Sequence, residues 1–235
     1  MGVGEGGQGE KFIGRYTYTI LYENWGGICG EKSFLLALLL KELGYGVALL
    51  QFDNERHMAL GIRAPAAYAF RDTGYALIES TSPVIPTYDN YLMTGGIRLT
   101  SDPKVIVVSE GRAFETIDRE YSDATLLRAI DAEGEKVSVA AHAVRSSEAQ
   151  LDTLYAEVIY WKTKLENSRT YEEKHYNQQK FSSAQAAYDQ YYDGTYLPKY
   201  VVWRDLYTSF QEKYLPKMRS LEKEYGMNTG ISVGR

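Results

Sequence analysis

The single cysteine of the chain, Cys29, stands where a thiol is readily activated. It follows Gly26 and Gly27 and comes directly before a helix-like run from residue 30 to 43. Unpaired backbone N–H groups at the start of a helix stabilise a thiolate. The glycines leave room for a substrate carbonyl beside the sulfur. Cys29 is therefore a candidate nucleophile, although a lone cysteine is more often a small buried hydrophobe.

Two further residues, His57 and Glu79, have the types and positions that would serve such a thiol. His57 begins a strand-like segment in which apolar and small residues alternate up to residue 62. Glu79 ends the apolar segment 75–78, where a carboxylate can hold and orient an imidazole ring. The alternatives are a surface or capping role for His57 and a solvated strand end for Glu79. The order of nucleophile, base and carboxylate along the chain favours a catalytic triad.

Three segments carry a resemblance to a known group of proteins: Gly-Ile-Cys-Gly-Glu-Lys-Ser at 27–33, Asn-Glu-Arg-His-Met-Ala-Leu-Gly at 54–61, and Ala-Leu-Ile-Glu-Ser-Thr-Ser-Pro at 76–83. Together they resemble the transglutaminase-like superfamily of papain-like thiol enzymes, in its prokaryotic peptidase-like branch. There a cysteine opens a helix, a histidine begins a strand, and an Asp-x-Thr or Glu-x-Thr segment follows. The resemblance spans residues 20–85 and implies that Cys29 is the nucleophile, His57 the base and Glu79 the orienting carboxylate. The sequence departs from the pattern in having Glu79 where aspartate is usual.

Residues just before Cys29 are candidates for substrate binding. Trp25 and Gly27 are the two predicted substrate-binding residues, and a purely structural role is the alternative for Trp25. The backbone N–H of Cys29 is a candidate oxyanion donor. The mechanism requires no cofactor and no metal. His142 and His175 are too far apart in sequence, and lack the neighbouring ligand types, to indicate a metal site.

Composition excludes several classes of protein. The chain has 235 residues and a net charge of −5, and its basic residues form no stripe, so nucleic-acid binding is not expected. No apolar stretch approaches the roughly 20 residues of a membrane span. One cysteine cannot form an intramolecular disulfide, and cysteine usage therefore indicates no compartment. Residues 1–10 are rich in glycine and are predicted to be a tail or linker, as would fit a fragment of a longer or anchored protein.

Periodicity divides the rest of the chain into two predicted domains, residues 11–118 and 119–235. The first alternates strand-like and helix-like segments, and its predicted strands are 16–20, 47–52, 58–62, 75–79 and 104–108. The second is helical, with one helix to about residue 165, a second over 171–192 that Gly194 and Pro198 end, and a third that Pro216 kinks or restarts. The predicted fold is α+β. It is a transglutaminase-like core, with an antiparallel sheet packed on the cysteine-bearing helix, followed by a helical hairpin or small bundle.

The predicted function is thiol-dependent amide hydrolysis or acyl transfer on a peptide or protein substrate, through a thioester. Hydrolysis by a cysteine peptidase or amidase is preferred, because the family resemblance includes many prokaryotic peptidase-like members and no calcium-ligand cluster is visible. The chain also has 21 tyrosines, many of them in the helical half. The main alternative is therefore a non-catalytic binding module that keeps the fold and holds a protein partner on these helices. A second alternative is a structural protein whose long helices assemble as a coiled coil.

Overall fold

The computed structural model describes residues 27–91, 93 and 96–231. It contains the following elements in chain order: α1 (Cys29–Glu42), β1 (Gly46–Phe52), β2 (His57–Arg63), β3 (Tyr75–Ile78), β4 (Lys104–Glu110), α2 (Asp118–Glu166), α3 (Tyr171–Tyr191), α4 (Leu197–Lys213) and α5 (Leu215–Tyr225). A short 3-10 helix covers Ala66–Tyr68, and a π-helical turn covers Tyr192–Tyr196. The predicted α+β class is confirmed. The predicted strand at 16–20 lies outside the described residues.

The described chain forms two compact units. The first comprises the residues up to Arg128 together with Leu221–Gly230, and the second comprises Ala129–Ser220 with Ile231. Within the first unit, the hydroxyl of Tyr225 donates to Asp123 Oδ2 at 2.7 Å, and this bond ties the end of α5 to the first turns of α2. Among the described residues, no helix has both the length and the apolar character needed to cross a membrane.

The sheet of the first unit has the order β3-β2-β1-β4, and all neighbouring strands are antiparallel. The tight turn 53–56 joins β1 to β2 and sets a register in which Leu49 faces Leu60. The predicted strands 47–52, 58–62, 75–79 and 104–108 are confirmed to within one or two residues at each end, because alternation and turn residues mark them clearly.

Helix α1 packs on one face of this sheet and so positions Cys29. The fully buried Ala37 lies in a core cluster with residues of β1, β2 and β3, namely Val47, Leu49, Leu60, Ile62 and Ala76. Gly44 ends the helix with φ of 85°, in the left-handed region that glycine adopts without steric cost, and its N–H donates to Lys41 O. The predicted helix and its glycine stop are confirmed.

A long loop, residues 79–103, joins β3 to β4 and is anchored by a buried carboxylate. Glu55, in the turn 53–56, accepts hydrogen bonds from the backbone N–H and the hydroxyl of both Thr100 and Ser101. These bonds lower the pKa of Glu55 to about 2, against the opposing effect of burial. Large side chains of the same loop are buried: Ile85, Tyr88, Tyr91, Met93 and Leu99.

The second unit is an antiparallel helical hairpin. Ring contacts between Trp161 and Tyr176 and between Tyr155 and Tyr188 join α2 to α3, and later residues of α3 contact earlier residues of α2. The antiparallel arrangement against α2 continues into α4, because Lys199 Nζ donates to Ser147 Oγ at 2.9 Å. The hairpin was one of the two predicted arrangements of this half.

The predicted break at Gly194 and Pro198 is wrong. The chain stays helical from Tyr171 to Lys213, and the π-helical turn Tyr192–Tyr196 lies where the break was expected. Proline has no N–H to donate to the preceding turn. Here Pro198 lies in the first turn of α4, where the widened π turn already interrupts the regular bonding. The predicted interruption near Pro216 is confirmed, since α4 ends at Lys213 and α5 begins at Leu215.

Aromatic rings follow one another along α3, the π turn and α4. The ladder consists of Tyr188, Tyr192, Tyr196, Tyr200, Trp203 and Tyr207, and successive ring centroids are 5.5 to 6.1 Å apart. Their spacing of three or four residues places them on one face of the helix.

Candidate active site

Cys29 is the first residue of α1, and its side chain is partly exposed. A hydrogen bond to the His57 ring is the main cause that lowers the pKa of the thiol, and it outweighs the burial that would raise it. Backbone N–H groups of Met58 and Gly30 and the charge of His57 lower this pKa further. The start of the helix therefore places the sulfur among donors that favour the thiolate.

His57, the first residue of β2, lies between the sulfur and a carboxylate and is 9% exposed. Its Nε2 is 2.8 Å from Glu79 Oε2, which leaves Nδ1 to face Cys29. Burial favours the neutral ring. The hydrogen bonds and charges of Cys29 and Glu79 outweigh it and raise the pKa of His57 to about 9. An imidazolium between two anionic partners is the form that this arrangement stabilises.

Glu79 follows β3 directly, and only 1% of its side chain is exposed. Its Oε1 accepts from the N–H of Ser80, the N–H of Thr81 and the hydroxyl of Thr81. Its Oε2 accepts from His57 and, at 2.6 Å, from the hydroxyl of Tyr91. Burial alone would raise the pKa of Glu79, but these hydrogen bonds lower it to about 2. The carboxylate is thus held as an anion.

Two serines join the element that carries Cys29 to the strands that carry its partners. The fully buried hydroxyl of Ser33, one turn into α1, donates to Met58 O at 3.1 Å in β2. It also lies 2.9 Å from the hydroxyl of Ser80, which follows Glu79. Ser80 in turn donates to Cys29 O at 3.4 Å. These bonds fix α1 against β2 and against the end of β3.

A pocket of about 320 Å³ opens beside the sulfur. Apolar side chains of Ile28, Phe52 and Met58 line it, and its polar lining comes from Gln51, Asp53 and Arg56 of β1 and the following turn. Of the two predicted substrate-binding residues, Gly27 is partly exposed just before α1 and does not line this pocket. Trp25 lies outside the described residues.

The structure brings the three predicted catalytic residues, Cys29, His57 and Glu79, into one hydrogen-bonded chain. Sequence reasoning missed Tyr91, Ser33 and Ser80. Thr81 was quoted only as part of the Glu-x-Thr segment, and its two bonds to Glu79 give that spacing a physical role. Tyr91 lies in an irregular loop where no periodic signal marks it.

No metal centre accompanies this site in the part of the chain that the structure describes. No group of three or more histidine, cysteine, aspartate or glutamate side chains is arranged to hold an ion there. His175 lies on α3 beside Tyr171 and Gln179, and His142 lies on α2.

Comparison with known proteins found no matching family model, no matching curated sequence and no matching solved structure.

Proposed function

We propose that this chain is a thiol-dependent amidase or peptidase with a transglutaminase-like core. The observation that carries the proposal is the hydrogen-bonded chain from Cys29 through His57 to Glu79, beside an open pocket. Nucleophile, proton carrier and orienting carboxylate are the three roles that acyl transfer by a thiol requires. The order of these residues along the chain also supports the transglutaminase-like resemblance.

In this mechanism the Cys29 thiolate attacks an amide carbonyl, and a carbon–sulfur bond forms as the carbonyl oxygen takes the negative charge. The His57 imidazolium gives its Nδ1 proton to the leaving amine, and the carbon–nitrogen bond breaks to leave a thioester. Neutral His57 then takes a proton from water, which attacks the thioester. The carbon–sulfur bond breaks to release the carboxylic acid and the Cys29 thiolate, so that the thiolate–imidazolium pair is restored. Glu79 holds the ring in the orientation that both proton transfers require.

Hydrolysis is favoured over transfer to an amine by the same observations that favoured it in the sequence. The described residues hold no cluster of acidic side chains of the kind that binds calcium. The pocket beside the sulfur is of a size to take one or two side chains, which suits a peptide or protein substrate.

The decisive experiment is alkylation of Cys29 with iodoacetamide as a function of pH, because every labelled molecule reports on this one thiol. An ordinary thiol with a pKa near 8.5 loses reactivity about tenfold for each pH unit below that value. The folded protein is expected to react appreciably at about pH 6. His57→Ala should shift the pH profile toward higher pH by about one unit or more, and so lower the reactivity at pH 6 at least about tenfold.

Urea-unfolded protein provides the internal control, because its Cys29 has neither a helix nor a hydrogen-bonded partner. Coincident profiles for folded and unfolded protein would show an ordinary thiol and would refute the proposal. Complete protection of the folded thiol at every pH would refute it as well.

The second of these outcomes would favour the other candidate function, a binding module that keeps the fold without its chemistry. A specific observation supports a partner surface on the helical hairpin. Several large aromatic side chains there are more than half exposed: Tyr155, Tyr160, Tyr171 and Tyr176. Tyrosine is enriched at protein interfaces, because its ring is apolar and its hydroxyl tolerates water.

A further inference from the structure

Tyr91 shares one carboxylate oxygen with the histidine of the active site. Its hydroxyl donates to Glu79 Oε2 at 2.6 Å, and His57 Nε2 lies 2.8 Å from the same oxygen. Tyr91 is 2% exposed, and its phenol is kept protonated because burial and the Glu79 charge both raise its pKa. Toward the Glu79 carboxylate it therefore acts as a donor.

The other oxygen of Glu79 fixes the carboxylate without help from Tyr91. Oε1 accepts three hydrogen bonds, all from Ser80 and Thr81, the two residues that follow Glu79 in sequence. Removing the Tyr91 hydroxyl would thus leave the carboxylate in place. The hydrogen bond between Oε2 and His57 would change instead. Two donors that share one acceptor each weaken the other's bond, so loss of the Tyr91 hydroxyl would leave more electron density on Oε2 for His57.

We propose that Tyr91 is a positioning residue that limits how strongly Glu79 holds the His57 proton, and so balances thiolate formation against proton delivery to the leaving amine. A His57 bound more tightly to Glu79 would stabilise the thiolate–imidazolium pair. The same ring would be a weaker acid toward the departing amine. The catalytic consequence rests on the function proposed above, whereas proton binding by His57 can be measured without any activity.

The surroundings of Tyr91 keep its hydroxyl at this oxygen. Its loop is anchored on one side by Glu55, through Thr100 and Ser101, and Arg98 Nη1 donates to Asn90 Oδ1 at 2.7 Å next to Tyr91 itself. The charged groups that act on Tyr91 are Glu79 and Asp89. Asp89 is paired with Arg128 at 3.1 Å, and within the described part of the chain the titratable groups that act on His57 are Glu79 and the Cys29 thiol.

The test is a nuclear magnetic resonance titration of the His57 ring in the Cys29→Ala protein, where no thiol titrates with it. The chain has three histidines, so His142 and His175 variants assign the signals. Adding Tyr91→Phe is expected to make His57 bind its proton about threefold more tightly. Unchanged or weaker proton binding by His57 would overturn the proposal. If Tyr91 served only to support the local structure, its replacement would loosen the contact between His57 and Glu79 and would not tighten proton binding.

Three comparisons complete the experiment. Tyr88→Phe, which removes a hydroxyl of equal burial from the same loop, should leave the His57 titration unchanged. In a Glu79→Gln background, Tyr91→Phe should also have no effect on His57, and an undiminished effect there would overturn the route through Glu79. Replacing Tyr91 by 3-fluorotyrosine, a stronger donor of nearly the same size, should weaken proton binding by His57. This opposite response keeps the test decisive even if Tyr91→Phe does not fold.

Discussion

Glu79 reaches His57 with a side chain one methylene longer than the aspartate that the family resemblance leads one to expect. The structure accommodates the extra length by giving the carboxylate five hydrogen-bond partners. Three of these come from Ser80 and Thr81, and they secure Oε1 close to the backbone. Oε2 is then directed at His57. The longer glutamate side chain is thus held in place by its immediate neighbours in sequence and by Tyr91.

Glu79→Gln is expected to keep the fold and to lower activity on the order of a hundredfold or more, whereas Glu79→Asp should lower it less. Three donors on Oε1 require the amide oxygen to occupy that position. The amide NH₂ then faces His57 and forces Nε2 to act as an acceptor, which places the ring proton on Nδ1 and leaves no base for Cys29. Glu79→Asp keeps the negative charge and only shortens the side chain by one methylene. Single-turnover acylation rates of the two variants compare these effects.

Thr81→Val provides a matched control, because it removes one donor to Oε1 and leaves the charge of Glu79 intact. Its acylation rate should lie closer to that of the parent than the Glu79→Gln rate does. Equal rates for Glu79→Gln and the parent would make Glu79 a bystander.

At the scale of elements, Ser33 connects helix α1 to the strands that carry the rest of the site. Ser33→Ala is expected to lower the free energy of unfolding by about 1–2 kcal/mol, since it removes a fully buried hydroxyl bonded to Met58 O and Ser80. It should also slow Cys29 alkylation, because the helix start moves relative to His57. Urea unfolding and the alkylation assay measure the two effects.

Ser146→Ala is the control for this substitution. Ser146 is exposed on α2 and donates only to Ala143 O, within its own helix. Its replacement should change the free energy of unfolding by no more than about 0.5 kcal/mol. A Ser33→Ala protein as stable and as reactive as the Ser146→Ala protein would show that Ser33 does not hold α1 in place.

Glu55 connects the turn between β1 and β2 to the loop that carries Tyr91, and its contribution depends on pH. Its pKa is lowered to about 2 in the folded protein, from an ordinary value of 4.5. A lowered carboxyl pKa stabilises the fold above the unfolded value, and this stability is lost as pH falls from about 4.5 toward 2. Glu55→Gln should therefore be less stable than the parent at neutral pH. The difference in the free energy of unfolding between the two proteins should become smaller as the pH falls from about 4.5 toward 2. Urea unfolding at pH 7, 4 and 3 measures it, and a gap independent of pH would contradict the prediction.

The sequence predicted the elements near the site well and the contacts between distant segments poorly. Helix α1, β1 and β2 are marked by periodicity and by turn residues, which are local signals. The place of Tyr91 and the bonds of Ser33 depend on tertiary packing across tens of residues, and no local pattern encodes them. Gly194 and Pro198 led to a wrong prediction: both disfavour a helix locally, yet this segment stays helical through a π turn, and the hydroxyl of the preceding Tyr191 donates to Ser147 O of α2.

At the scale of the whole molecule, the helical hairpin has one non-helical connection between its two long arms, residues 167–170. An arginine-specific protease is expected to cut after Arg169 before it cuts after Arg145 or Arg204, which lie inside α2 and α4. Cleavage requires the chain to open locally, and opening is easier in a turn than within a packed helix. Mass spectrometry of early fragments identifies the first site. Early cleavage at Arg145 or Arg204 would contradict the hairpin.

The aromatic ladder of the hairpin has an optical consequence. Five of its six rings are tyrosines, and the sixth, Trp203, has the lowest excited state of the series. Light absorbed by one of these tyrosines therefore passes from ring to ring toward Trp203, and is emitted there as indole fluorescence. Stacked rings in a fixed chiral order also give strong circular dichroism in the near ultraviolet. The hairpin thus contains its own spectroscopic reporter, which is lost when the helical segment from Tyr171 to Lys213 unfolds.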